Sequence, residues 1–232
     1  MGVAAVRGLQ GDGSFRDGRQ VLATLKHFGA HGQPEGGMNC GPAEVGERTL
    51  REILLAPFKA AIQQGGAASV MAAYNEVDGV PMHANGRLLR DVLRKEWGFE
   101  GFVVSDYFAV EELSDRPATH GHHLARDKKE AGALAVRSGG NIELPDADFY
   151  AHLVELVREG TLKESQLDEL VAPMLRWKFQ LGLFEKAWVS PERAESVAGC
   201  AAHGALARRA AREAVILLKN DGALLPLDEK KI

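Results

Sequence analysis

Gly101-Phe102-Val103-Val104-Ser105-Asp106-Tyr107 is a short, nearly all-apolar run that ends abruptly in a carboxylate. Such a run reads as a buried strand that delivers Asp106 to its carboxyl-terminal edge, where parallel α/β proteins keep their chemistry. An Asp that merely caps a following helix would look the same locally, so the surrounding pattern has to decide. Three similar runs occur, Val21 to Phe28, Ala68 to Tyr74 and Asn141 to Pro145. Stretches of helical period separate all four, which is the signature of βαβ units and a parallel sheet.

The helical stretches are read from their apolar spacing. Between the first two strands, Glu47 to Gln64 places Leu50, Ile53, Leu54, Ala61 and Ile62 on one side, with Pro57 expected to kink it or end its first part. Leu88 to Trp97 and Ala125 to Arg137 are the next two, and Phe149, Leu153, Leu156 and Val157 mark a fourth. A fifth carries Leu167, Leu170, Val171, Met174 and Leu175 and is expected to be interrupted at Pro173. From Trp188 to Cys200 the chain turns polar and irregular, and Leu206 to Lys219 then reads as one helix before the turn at Asn220-Asp221-Gly222.

Four β/α units make half of an eight-fold barrel, which needs about 250 residues for all eight. The expected fold is therefore α/β, a partial (β/α)8 TIM-type barrel of four parallel units with a helical carboxyl-terminal tail. Residues 1–187 form the half-barrel in this reading and residues 188–232 a linker and helix. An open four-stranded sheet leaves two free edges, a liability in a monomer, so a homo-oligomer joined through those edges is expected.

Composition narrows the function. The chain has 232 residues, 45% hydrophobic and 26% charged, which fits a soluble enzyme or binding domain of cytoplasmic type. A net charge of −4, with no basic stripe interleaved with aromatics, gives no support for nucleic acid or an anionic membrane as partner. No apolar run approaches the roughly 20 residues of a spanning helix. Met1 to Ser14 lacks the continuous apolar core of a secretory signal. Cys40 and Cys200 stand far apart and outside any CxxC spacing, so two free thiols are expected, with no zinc site.

The strand ends carry the chemistry. Lys26 and His27 end the first, followed by a long polar, Gly-rich loop from Gly29 to Glu44 that suits a site wall. Tyr74 and Asn75 end the second, Asp106 the third, and Glu143-Leu144-Pro145 the fourth. Placed on one rim, Lys26, His27, Tyr74, Asn75 and Asp106 surround a carboxylate with neutral and cationic donors. That set suits a neutral, hydroxyl-rich substrate whose electrophilic carbon the carboxylate attacks. His120, His122 and His123 invite a metal reading, but adjacent histidines diverge and no third ligand of the right kind lies near, so a solvated loop is expected. A Schiff-base lyase would want a lysine in an apolar pocket, and Lys26 beside His27 is a poor candidate.

Together, Leu25 to Phe28, Gly46 to Glu52 with Pro57-Phe58, Ser69 to Asn75 with Asp78 to Pro81, Trp97 to Phe99, Gly101 to Tyr107, Glu143 to Pro145 and Lys178 to Phe184 resemble glycoside hydrolase family 3. That is the β-glucosidase and β-xylosidase group. Arg212 to Gly222 with Leu225 to Leu227 looks like the approach to that family's second domain, an α/β-sandwich. The resemblance implies retaining, exo-acting hydrolysis of terminal β-D-glucosyl or β-D-xylosyl residues from a β-linked oligosaccharide or aryl glycoside, with no cofactor and no metal. It makes Asp106 the nucleophile, Lys26 and His27 the grip on sugar hydroxyls, and Tyr74 and Met71 the pocket lining. The acid/base carboxylate, and an Asp and Arg for the sugar, are expected outside this chain, which reads as a partial product of a longer protein. Localisation stays open for that reason. Asn141 stands where many members carry Asp, so a polar contact there is expected to be altered. The rival reading is a non-catalytic half-barrel that binds sugar without turning it over.

Overall fold

Four parallel strands carry the site: β1 (Thr24–Phe28), β2 (Ser69–Ala72), β3 (Phe102–Tyr107) and β4 (Ile142–Leu144). The computed structural model describes residues 1–15, 18–114 and 121–228. Neighbours in sequence are neighbours in the sheet throughout. A doubly wound sheet would reverse its order at a switch point, whereas this unbroken succession is that of a barrel wall. Within the sheet, Leu25, Val70 and Val103 stand in register, as do Thr24, Ser69 and Phe102.

Apolar burial sets which side meets the helices. Val70, Ala72 and Val103 are buried among Val6, Leu50, Leu55, Ile62, Leu89 and Leu93. Phe28 is fully buried and meets Phe58 and Trp97 edge-on, with centroids 5.3 and 6.0 Å away. Two further apolar clusters, one around Leu113 and Phe149 and one around Val136, Leu156 and Leu170, pack against the helix Lys128–Ser138. Asp127 caps that helix by accepting the Glu130 amide.

Two strands contain one residue too many. Between Leu25 and Phe28, β1 advances three residues while β2 advances two, from Val70 to Ala72. Likewise β3 advances three from Val104 to Tyr107 while β4 advances two, from Ile142 to Leu144. Bulges of this kind turn side chains at the ends of strands, and these two flank His27 and Asp106. The peptide between Lys26 and His27 is cis.

The break expected at Pro57 is present, and other helical expectations need correction. The stretch after Glu47 comes in pieces, a wide turn over Leu50–Leu54 closed by the Leu55 amide on the Leu50 carbonyl, then the helix Ala56–Gln63. Pro57 lies in the first turn of that helix, where its missing N–H costs nothing. Arg87–Glu96 is wound widely in the same way, with the Trp97 amide on the Val92 carbonyl. Pro173 does not interrupt its helix, which runs unbroken over Glu164–Gln180. The buried ring packs beside Leu170, and Asn141 Nδ2 donates to the Leu170 carbonyl one turn before it, 2.6 Å away. The last helix spans Ala201–Ala214 rather than Leu206 to Lys219. It ends where the β-branched Val215 takes an extended conformation.

A small second sheet joins the loops after β1 and β2. Pro42–Ala43 pairs parallel with Glu76–Val77, which pairs antiparallel with Val80–Pro81. Asp78 and Gly79 form the two-residue turn at φ 53° and 71°.

The chain divides into two compact units, Met1–Phe184 and Glu185–Ile232. The second contains Pro191–Val197, capped by Ser190 on the Arg193 amide, and Ala201–Ala214. Asn220 then closes a turn through both its side-chain oxygen and nitrogen to Leu225. Among the described residues, no helix is long and apolar enough to cross a membrane.

Asn141 joins three elements at once. Its Oδ1 accepts from the Val103 amide at 2.7 Å and from Arg94 Nη2 at 2.7 Å, while Nδ2 holds Leu170. Burial pushes the Arg94 guanidinium down to about 10. Removing Asn141 therefore takes one hydrogen bond from the half-buried Arg94, which keeps the Gly101 carbonyl, and strips the Val103 amide and the Leu170 carbonyl of their side-chain partner. Asn141→Ala is expected to cost about 2 to 4 kcal/mol in urea unfolding. Asn141→Asp should lose less, because only the Leu170 carbonyl is then opposed by an oxygen.

Candidate active site

Asp106 lies near the end of β3 with both carboxylate oxygens engaged. Oδ1 accepts the Tyr107 amide at 2.8 Å, and Oδ2 faces His27 Nε2 at 3.2 Å. His27 is itself held below the ordinary histidine range, chiefly by burial, then by His31 and Lys26, with Asp106 pulling the other way. The His31 ring lies over it at 4.2 Å. Near neutral pH the contact is thus between a neutral imidazole and a carboxylate, and Lys26 is the exposed basic side chain of the strand end.

Tyr74 closes the side between β2 and β3. Its hydroxyl donates to the Tyr107 carbonyl at 2.6 Å. Burial and the adjacent Asp106 raise its pKa, so it stays a neutral phenol. Met71 is half-buried in β2 and pairs with Val104, two residues before Asp106. Lys26, His27, Met71, Tyr74 and Asp106 therefore lie at adjoining ends of three parallel strands.

Asn75 does not share that role. It is fully buried, and Nδ2 donates to the Gly29 carbonyl at 2.8 Å and the Glu76 carbonyl at 2.9 Å. Its work is to tie the exit of β2 to the exit of β1. At Gly29, where φ is 112°, a Cβ would run into the Met82 side chain, so only glycine lets the loop leave β1 along this path.

The expectation of a solvated histidine loop also fails at His122. Its side chain is 5% exposed, with Nδ1 2.8 Å from Glu76 Oε1 and Nε2 3.1 Å from the Tyr74 carbonyl. His123 is exposed, and His120 lies outside the described residues. Glu143 is likewise committed, accepting the Phe149 and Tyr150 amides at 3.1 and 2.8 Å. Burial is the main cause of its raised pKa. Among the described residues no group of three ligating side chains could hold a metal ion.

His83 is invisible to sequence reasoning because an isolated histidine after a turn carries no signal. It is buried, its Nε2 has no hydrogen-bond partner, and burial pushes it down to about 4, opposed by Asp106 and reinforced by His122.

Residues 1–177 match the family model described as glycosyl hydrolase family 3 N terminal domain. The whole chain is similar to a β-xylosidase of Formosa agariphila, 36% identical over 240 residues and covering 32% of that protein. It is 34% identical to a periplasmic β-glucosidase of Salmonella typhimurium, with 98% of this chain and 29% of that one aligned. Among solved structures it superposes on a β-glucosidase from Erythrobacter marinus with a TM-score of 0.90 at 38% identity, covering 98% of this chain and 30% of the other. A Listeria innocua β-glucosidase in complex with glucose gives 0.89 at 38% identity, with 97% and 30% covered. The chain thus spans about a third of the length of the curated relatives it matches. The sheet order and these superpositions make the first unit part of that family's barrel domain.

His83 makes stability depend on pH. Its folded pKa of about 4 lies below the ordinary histidine value of 6.5, so between those values the unfolded chain binds more protons. Stability is therefore full above the unfolded value and falls as pH drops towards 4. This residue alone should lower it by roughly 3 kcal/mol across that window. Urea unfolding at pH 7 and pH 4.5 is expected to show a smaller difference in His83→Gln than in the parent chain.

Proposed function

Because this chain belongs to glycosyl hydrolase family 3, we propose that it carries the nucleophile half of a retaining, exo-acting β-glucosidase or β-xylosidase site. The observation that supports this best is Asp106, oriented by the Tyr107 amide and by a neutral His27 3.2 Å away. One Asp106 oxygen attacks the anomeric carbon of a terminal β-D-glucosyl or β-D-xylosyl residue, and the aglycone oxygen leaves with a proton. Water then attacks the glycosyl-enzyme ester and returns Asp106 as a carboxylate. Lys26 and His27 hold ring hydroxyls, with Met71 and Tyr74 as the apolar and phenolic walls.

The second carboxyl group of a retaining site sits about 5 to 5.5 Å from the nucleophile. Glu76 is committed to His122 and Glu143 to backbone amides, which favours an acid/base residue from outside this chain. General acid catalysis contributes about 10²- to 10⁴-fold, so a chain without it still reacts with reagents whose leaving group needs no proton. Incubation with 2-deoxy-2-fluoro-β-glucosyl and β-xylosyl fluorides, followed by peptide mass mapping, is expected to place a sugar adduct on Asp106. The faster reagent identifies the preferred sugar, and Asp106→Ala should abolish labelling. A folded chain that takes neither label would instead be a non-catalytic, sugar-binding half-barrel.

We further propose that two copies of the chain associate. Strands β1 and β4 each pair on one side only among the described residues, and uncovered edges favour pairing with another chain. Sedimentation equilibrium is expected to report a dimer; a monodisperse folded monomer would overturn this part.

A further inference from the structure

We propose that His122 is a positioning residue that braces Tyr74, and through it Asp106, from the loop beyond β3; the catalytic part of this proposal rests on the glycosidase reading above. The loop is itself anchored, because the His122 amide donates to the Glu112 carbonyl and the Leu124 and Ala125 amides donate to Leu113. With 5% of its side chain exposed and both ring nitrogens engaged, His122 cannot meet a sugar. It acts through what it holds.

A main-chain carbonyl only accepts, so Nε2 must donate to Tyr74, and the Glu76 carboxylate accepts best from a protonated Nδ1. The ring thus bridges the Glu76 carboxylate and the Tyr74 carbonyl. Tyr74 and Glu76 flank Asn75, which is locked to Gly29 on the β1 side. His122 secures the same turn from the β3 side.

From Tyr74 the restraint passes onward by two hydrogen bonds. The phenol donates to the Tyr107 carbonyl at 2.6 Å, and the Tyr107 amide donates to Asp106 Oδ1 at 2.8 Å. A Tyr74 free to turn would loosen the bond that orients the carboxylate.

The chain has three tyrosines, Tyr74, Tyr107 and Tyr150, which makes the test direct. The chain is labelled with 3-fluorotyrosine and followed by fluorine NMR, alongside the rate of fluoroglycoside adduct formation on Asp106. In His122→Ala, the Tyr74 and Tyr107 resonances are expected to move while Tyr150 stays. The maximal labelling rate should fall about 10- to 100-fold, the loss typical of a misplaced reacting group, with the half-saturating reagent concentration unchanged within about twofold. His122→Gln, whose amide can still donate to the Tyr74 carbonyl, should recover part of the rate. Unmoved Tyr74 and Tyr107 signals, or an unchanged labelling rate, would overturn the proposal. If the parent chain is never labelled, the glycosidase reading falls and the tyrosine resonances alone decide the brace. Should His122→Ala not fold, His122→Gln and Glu76→Gln carry the same comparison.

Discussion

One extra residue in each of two strands governs this site. A strand of even pleat sends successive side chains to opposite faces. The bulge between Leu25 and Phe28 lets Leu25 and Phe28 both pack with the helix-side core although they are three apart. The residues between them are thereby released from that core, and His27 can reach the Asp106 carboxylate. On β3 the second bulge, between Val104 and Tyr107, falls across Asp106 itself. The rest of the sheet keeps regular register and a dense apolar backing, so the irregularity is confined to the edge where chemistry is placed.

Electrostatics then assigns each group a task. Burial, and then the nearby His31 and Lys26, hold His27 below the ordinary histidine range, so its contact with Asp106 near neutral pH does not neutralise the carboxylate. Tyr74 stays a donor because the same carboxylate and burial suppress its ionisation. Under the proposed mechanism, a carboxylate beside a neutral imidazole retains its nucleophilicity, while a full counter-charge in contact would diminish it. That is the physical content of having a histidine, rather than an arginine, against Asp106.

Much of this is legible in the chain because the four strands are short apolar runs that stop at polar residues. Lys26, His27, Tyr74 and Asp106 can be placed on one rim from that pattern alone. What escapes it depends on contacts distant in sequence. Nothing near Asn75 announces that its amide closes on Gly29, 46 residues away, nor does anything near His122 point to Glu76. The wide turns at Leu50–Leu54 and Arg87–Glu96 bury the same stripe that an α-helix would, so apolar spacing cannot separate them. Pro173 defies its local expectation because its ring is buried with Leu170 on the packed face of the helix, a tertiary effect. The Asp78-Gly79 hairpin carries its own local signal in two residues able to take positive φ.

Three carboxylates near the strand ends show why sequence position alone does not assign function. Glu76 follows β2 and is bound to a buried imidazole, so its charge sustains the turn that presents Tyr74. Glu143 lies within β4 and accepts two backbone amides at the start of the turn Tyr150–His152. Only Asp106 has one oxygen fixed by its own strand and the other set against a neutral side chain that a substrate hydroxyl can replace. Under the proposed mechanism that difference is decisive: a nucleophile has to be held in direction yet left incompletely satisfied. Glu143 has both oxygens on backbone amides, whereas Asp106 has one oxygen on an amide and the other beside a neutral side chain.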